Sequence, residues 1–170
     1  RCNTTAGTGQ GHRWTVSIDG QNSTVSTTKY ARPKIFTVTG MVDASNDGFE
    51  EIEINGENFG PHGYPVSGVY GKYDFASCEL LEEHTSMTCT TAEGIGTRHV
   101  VAVTVGEQHS DSNSDSSDVD VDIYIGLSYH PPSIIPQEGF SNAASGPGLS
   151  SASTKGGQAL HLTGTNFGPA

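Results

Sequence analysis

The sequence predicts an all-β fold of small β-sandwich domains arranged in tandem. Three observations lead to this prediction. Apolar and polar residues alternate in short runs, turn-forming residues separate the runs, and one block of sequence recurs along the chain. The 170 residues suffice for one or two domains, and the hydrophobic content of 33% is concentrated in the alternating runs, which indicates thin β-layers rather than disorder.

The recurring block begins at a cysteine and ends at a histidine. The chain opens with "RCNTTAGTGQGH", and "TCTTAEGIGTRH" follows in the middle, so that Cys2 and His12 correspond to Cys89 and His99, 87 positions later. Two glycines within the block also coincide, and so does the alternating run that follows it.

Two further blocks recur in the same order. "YARPKIFTVTG" matches "YHPPSIIPQEG" at an offset of 99, and "IEINGENFGP" matches "LHLTGTNFGP" at an offset of 108. The second copy therefore carries insertions of 12 residues between Ser110 and Tyr129 and of 9 residues between Gly139 and Gly164. Three blocks in one order indicate an internal repeat.

The repeat divides the chain into three parts. Residues 1–32 are predicted to be the C-terminal part of one unit, residues 33–131 a complete unit, and residues 132–170 the N-terminal part of a following unit. We therefore expect the chain to be a piece of a longer protein. Units of roughly 100 residues are long for a solenoid repeat and are typical of separate domains.

Each unit is predicted to consist of strands. The alternating runs "HRWTVSID", "EEIEIN" and "ALHLTG" each predict a strand with one buried face. The residues expected on these buried faces are Trp14, Val16, Ile18, Ile52, Ile54, Leu160 and Leu162. The run "HVVAVTV" is apolar on both faces and predicts a central strand.

The net charge of the chain restricts the classes of partner that it is expected to bind. A net charge of −11, from 8 basic and 19 acidic residues, disfavours nucleic acid and anionic membranes because both would repel the chain. No apolar run reaches the ~18 residues of a spanning helix, so no membrane span is expected in this segment.

Several of these segments together resemble a known family. "GFEEIEINGENFGP", "VYG", "MTCTTAEGIGTRHVVAVTVGEQ" and the pattern Tyr-x-x-Pro are similar to the IPT/TIG domain, and the resemblance covers nearly the whole chain. It implies an immunoglobulin-like β-sandwich, found in tandem in cell-surface receptors and large extracellular proteins and singly in some transcription factors. The transcription-factor version needs a basic DNA-facing loop, which this acidic chain lacks.

The resemblance also implies a disulfide. The pattern of the unit brings the strands of Cys78 and Cys89 side by side, and Cys2, the counterpart of Cys89, is expected to pair with a cysteine outside residues 1–170. The alternative is three reduced, buried cysteines in a cytosolic protein. Two N-glycosylation sequons, at Asn3 and Asn22, favour an extracellular or cell-surface location with attached glycans.

One acidic segment in the insertion has two interpretations. In "DSNSDSSDVDVD", Asp111, Asn113, Asp115 and Asp122 fall on positions 1, 3, 5 and 12 of a calcium loop. Against calcium, a serine replaces the turn glycine, an aspartate replaces the final glutamate, and no helices flank the loop. The segment is therefore either a solvated acidic loop or a weak calcium site, and no other cofactor is expected.

No catalytic motif is found. The sequence contains no G-x-S-x-G, H-E-x-x-H or C-x-x-C, so an enzyme is not expected. His12 and His99 occupy equivalent positions at the start of a strand, and we expect them to form structural hydrogen bonds rather than to bind metal or take part in catalysis.

The junctions between units suggest a function. Tyr30 and Pro33 at one junction, and Tyr129 and Pro132 at the other, stand in short segments without glycine, which are expected to be stiff. The sequence thus favours a structural or adhesive repeat segment of an extracellular glycoprotein, forming a rod or filament with neighbouring repeats or other copies of the protein. The alternative is a ligand-binding segment of a receptor ectodomain.

Overall fold

The structure, a computed structural model, describes residues 1–40, 42–110, 127–134, 154–157 and 163–169. These residues contain fourteen β-strands and no helix, so an all-β fold is observed. Within the described ranges, no segment could cross a membrane as an apolar helix.

The strands form three groups along the chain. The first group is β1 (His12–Trp14), β2 (Ser17–Ile18), β3 (Gln21–Asn22) and β4 (Ser26–Thr28). The central group is β5 (Lys34–Thr39), β6 (Glu51–Glu57), β7 (Val66–Tyr70), β8 (Tyr73–Asp74), β9 (Ser77–Glu82), β10 (Ser86–Thr90), β11 (Val101–Val105) and β12 (Gln108–His109). The last group is β13 (Ser133–Ile134) and β14 (Gly164–Thr165).

The central group forms two antiparallel sheets of four strands. Their strand orders are β5-β6-β10-β9 and β12-β11-β7-β8. Consecutive pairs of strands alternate between the sheets, so β6 and β10 meet in the middle of one, and β7 and β11 in the middle of the other. Both sheets contribute to one hydrophobic core, which is the arrangement of a β-sandwich.

The core confirms two of the predicted strands. Ile52 and Ile54 on β6 are buried, as the alternation in "EEIEIN" predicts. Strand β11 lies between β7 and β12, so it is central in its sheet, and Val103 is completely buried. Leu160 and Leu162 lie outside the described residues.

One predicted buried face is wrong for the described residues. Trp14, Val16 and Ile18 are 43%, 61% and 72% exposed, whereas the equivalent residues on β11 are at most 9% exposed. The physical reason is that β1–β4 form two-stranded ribbons, and no second sheet in the described part of the chain covers their apolar side. The polar residues between them, Arg13, Thr15 and Ser17, are exposed as well, so burial does not distinguish the two faces of this run.

Strand pairing repeats with the same register. In the β2–β3 hairpin Ser17 pairs with Asn22, and in the β11–β12 hairpin the equivalent Thr104 pairs with His109. The pairing of β13 with β14 likewise repeats that of β5 with β6, at the offsets of 99 and 108 found in the sequence. The repeat is therefore present in the backbone hydrogen bonding as well as in the sequence.

The disulfide lies at the edge of one sheet. Cys78 on β9 and Cys89 on β10 are directly opposite in the strand register, and their sulfur atoms are bonded. Cys89 is buried in the core, while Cys2 is an exposed free cysteine in the structure. The bond thus joins the edge strand β9 to the central strand β10.

Removing this bond should destabilise the fold measurably. Replacing Cys78 and Cys89 together by alanine opens a loop with a sequence separation of 11 residues. The chain-entropy model then gives a decrease in unfolding free energy of about 3 kcal/mol, which denaturant titration would measure. Cys2→Ala is the matched control and should leave the midpoint unchanged. A disulfide joining Cys2 to Cys78 or Cys89 in non-reducing peptide maps would contradict the pairing.

Candidate functional site

The two junction segments make equivalent backbone contacts. The first junction, residues 29–35, connects β4 to β5, and the second, residues 128–134, leads into β13. The amide of Tyr30 donates to the carbonyl of Gly9 at 2.9 Å, and the amide of Tyr129 donates to that of Gly96, also at 2.9 Å. Each junction is therefore attached to the glycine-rich loop of the unit that it leaves.

The tyrosine side chains repeat a second contact. The Tyr30 hydroxyl donates to the carbonyl of Thr5 at 2.6 Å, and the Tyr129 hydroxyl to that of Ala92 at 2.7 Å. Both rings lie against a glycine, since a Cβ added at Gly7 or Gly94 would be within 3.0 Å of ring atoms. A larger residue at either glycine would displace the ring.

The second tyrosine is further fixed by a neighbour in the core. The hydroxyls of Tyr129 and Tyr70 are 2.6 Å apart, and the amide of Ala92 donates to the Tyr70 hydroxyl at 2.9 Å. When the Tyr70 hydroxyl donates to the Tyr129 hydroxyl and the Tyr129 hydroxyl donates to the carbonyl of Ala92, the two hydroxyls and Ala92 form a closed ring of hydrogen bonds. Both hydroxyl protons and the amide proton of Ala92 are then donated. The pKa of Tyr129 is raised well above its usual value. Burial is the largest cause, and the hydrogen bond with Tyr70 is the second largest.

The equivalent histidines form the hydrogen bonds expected from the sequence. Nε2 of His12 is 2.9 Å from the carbonyl oxygen of Thr8, and Nε2 of His99 is 3.0 Å from that of Ile95. Each histidine ring also packs edge-on against the junction tyrosine of its unit. The histidines thus bind the glycine-rich loop to the tyrosine.

The G-x-N-F-G-P segment contacts each junction from the other side. The side-chain amide of Asn58 donates to the carbonyl of Arg32 at 3.1 Å, and the side-chain amide of Asn166 donates to the carbonyl of Pro131 at 3.2 Å. Both asparagines have left-handed backbones, with φ of 64° and 60°, a conformation that asparagine tolerates better than most residues. The G-x-N-F-G-P segment is thus fixed to the residue that precedes the junction proline.

The two prolines differ in their surroundings. Pro33 is fully buried, and Pro132 is exposed. Each immediately precedes a strand, β5 or β13, which is consistent with their expected role in stiff connections.

A small cavity lies at the first junction. Its volume is about 120 Å³, and residues from both sides line it, including Thr8 and Tyr30 on one side and Gly60 and Gln108 on the other. Small-molecule sites usually have volumes of ~300–1,000 Å³, so this cavity is a packing feature of the junction.

Other residues singled out in the sequence lie apart from the junctions or outside the described ranges. Asn3 and Asn22 are exposed, Asn22 on strand β3. The segment from Asp111 to Asp122 lies outside the described residues. Among the described residues, no group of three or more histidine, cysteine, aspartate or glutamate side chains is placed to bind a metal ion.

Sequence reasoning missed a side-chain contact between units. Thr8 and Ile95, which occupy equivalent positions in the glycine-rich loop, lie against Gly60 and Gly168 of the following G-x-N-F-G-P segment. The alignment pairs both sets of residues, but an alternation pattern reports the buried face of one strand and carries no information on contacts between units. The recurrence of both glycines at matching positions was the available signal.

The Tyr129 network predicts a loss of stability at alkaline pH. Tyr129→Phe removes two buried hydrogen bonds and should lower the unfolding free energy by ~1–3 kcal/mol at pH 7. Because the pKa of Tyr129 is raised in the folded state, the network is intact below the usual value of 10.0. Above it the unfolded tyrosine ionises first, so the advantage of wild type over Tyr129→Phe should narrow as pH rises.

Denaturant titrations between pH 7 and pH 11.5 would measure this difference. Tyr64→Phe is the matched control because the Tyr64 side chain is exposed, and it should match wild type throughout. A difference between wild type and Tyr129→Phe that stays constant up to pH 11.5 would contradict the buried network.

Comparison with family models, with characterised proteins and with solved structures finds no match for this chain. The contacts at the two junctions are therefore the basis on which a function can be proposed.

Proposed function

We propose that this chain is a structural or adhesive segment of an extracellular glycoprotein, in which tandem IPT/TIG-like units with an immunoglobulin-like fold are fixed end to end. Each unit would bind its neighbour through the junction, and the resulting rod would keep distant parts of the protein apart. Other copies of the same protein are the second class of partner in this proposal.

The recurrence of one set of junction contacts carries the proposal. The backbone bond of Tyr30 to Gly9, the hydroxyl bond of Tyr30, and the asparagine bond to the residue before the junction proline each have a counterpart at the second junction. A flexible linker would leave such contacts to vary from one junction to the next. Equivalent contacts imply equivalent relative orientations, and repetition of one orientation generates an extended, regular array.

The exposed side of β1 and β2 supports the proposed domain boundaries. Trp14, Val16 and Ile18 are equivalent to the core residues Val101, Val103 and Val105. An open cleft of about 610 Å³ lies beside Trp14 and Tyr30. We assign residues 1–32 to the C-terminal part of one unit, 33–131 to a complete unit and 132–170 to the start of another, so that the rest of the first unit would cover this side.

The disulfide and the two sequons support the proposed extracellular location. A disulfide between Cys78 and Cys89 persists in oxidising compartments, which favours secretion or the cell surface. Asn3 and Asn22 are exposed and accessible to a glycan. The loss of mass on treatment with an N-glycosidase would show whether either asparagine carries one.

The receptor alternative makes a different use of the same apolar side. In that case the cleft beside Trp14 would be a ligand surface rather than the interior of an incomplete unit. The two interpretations differ in whether added protein or an added ligand covers Trp14.

Solution scattering tests the rod. A compact globule of 170 residues has a radius of gyration of about 16 Å. A chain whose two junctions are fixed end to end should exceed this value clearly and give a narrow distance distribution. A radius near ~16 Å, or the broad distribution of a flexible linker, would contradict the proposal.

The single tryptophan tests the domain boundaries. The sequence contains one tryptophan, so all tryptophan fluorescence comes from Trp14, which is half-exposed. Extending the polypeptide at its N-terminus by about 100 residues of the natural protein, with any tryptophan in the extension replaced by phenylalanine, should bury Trp14, shift its emission to shorter wavelength and reduce acrylamide quenching several-fold, since the added strands complete the core. Emission unchanged by the extension would contradict the boundaries and favour the ligand surface.

A further inference from the structure

The side chain of Thr8 is packed between two glycines of the following unit. Thr8 is only 7% exposed. A Cβ added at Gly60 would lie 2.2 Å from its Cγ2, and a Cβ added at Gly106 would lie 2.6 Å from its Oγ1. Both distances are far inside van der Waals contact. Gly60 belongs to the connection between β6 and β7, and Gly106 to the turn between β11 and β12.

The second junction repeats this contact with a different side chain. Ile95 is equivalent to Thr8, and a Cβ added at Gly168 would lie 2.8 Å from its Cγ2. The backbone of Ile95 is fixed by Tyr73, whose hydroxyl accepts from its amide and donates to its carbonyl at 3.0 and 3.1 Å. Isoleucine and threonine are both β-branched, so neither can easily rotate away from an added methyl group.

The glycine at position 106 is required by the contact and not by the turn. The equivalent turn between β2 and β3 carries Asp19, which has φ of +48°, close to the +55° of Gly106. A residue with a side chain therefore fits this backbone. At Gly106, Gly9 and Thr8 lie so close that a side chain would collide with them.

We infer that the residue at positions 8 and 95 selects the neighbouring unit, and that the partner it fits is a G-x-N-F-G-P segment whose second glycine presents no side chain. This inference rests on the proposed function, because it assigns the contact that fixes one tandem unit on the next. Thr8 fits between two glycines at the first junction. The bulkier Ile95 lies on Gly168 at the second junction, so the two loops are not interchangeable.

Two alanine variants of the 170-residue chain separate the contact from backbone strain. Gly60 and Gly63 have similar positive φ angles, +81° and +89°, but a Cβ at Gly63 meets nothing within 4 Å. Both substitutions place alanine at a similar positive φ, and only Gly60→Ala collides with Thr8. Trypsin cleavage after Lys29, an exposed residue at the start of the first junction, reports on its opening.

Gly60→Ala should accelerate cleavage after Lys29 at least about tenfold, the equivalent of ~1.4 kcal/mol, and broaden the distance distribution in scattering. Gly63→Ala should match wild type in both measurements. Adding Thr8→Ser to Gly60→Ala removes the colliding methyl group and should restore slow cleavage. Equal behaviour of the two alanine variants, or no restoration by Thr8→Ser, would overturn the inference.

Thr8→Ile tests the same contact if Gly60→Ala does not fold. This variant leaves the complete unit unchanged and places a larger side chain between Gly60 and Gly106, so it should also accelerate cleavage after Lys29. Cleavage at the wild-type rate would overturn the inference. A wild-type chain that is compact or flexible in scattering would contradict the proposed rod. An extended Gly60→Ala chain that is cleaved after Lys29 at the wild-type rate would contradict only the selection by residues 8 and 95.

Discussion

The contacts at both junctions depend on a tyrosine that is hydrogen-bonded to the glycine-rich loop preceding it. Through its amide and its hydroxyl, Tyr30 or Tyr129 binds two carbonyls of that loop, and its ring covers a glycine. The loop in turn carries the residue that touches the next unit. Because the proline three residues later starts the next sheet, the orientation of the loop and the direction of the following strand are fixed by one short segment.

Hydrogen bonds and steric contacts have different roles at the junctions. The tyrosine and asparagine bonds involve backbone carbonyls, so they do not depend on which side chains the neighbouring positions carry. They can recur unchanged in units whose sequences have diverged. The contact of Thr8 with Gly60 depends on shape alone, and at 7% exposure it is desolvated. Geometry is thus set by bonds to the backbone, and discrimination is set by packing.

The sequence predicted the strands of the repeated blocks better than the contacts that surround them. The inward faces of β6 and β11 could be found because alternation reports directly on a half-buried strand. The exposure of Trp14 could not be predicted, because the same alternation is expected whether or not a second sheet covers that face of the strand. Tyr30 and Tyr129 could be found because their sequence block recurs. The role of Tyr70 could not be predicted, since its hydrogen bond to Tyr129 spans 59 residues and has no counterpart among the aligned blocks.

The equivalent turns at Asp19 and Gly106 show how a repeat can encode position. Two turns with nearly the same backbone carry a charged residue in one unit and glycine in the next. Since Asp19 is tolerated at the equivalent position, the turn itself does not require glycine at position 106. At Gly106 a loop of the preceding unit approaches within contact distance, and a carboxylate there would have to be buried without a partner, at a cost of several kcal/mol or with a shifted pKa. In the proposed tandem array the covalent chain already fixes the order of the units, so positions such as 106 limit only how closely one unit can pack on the next.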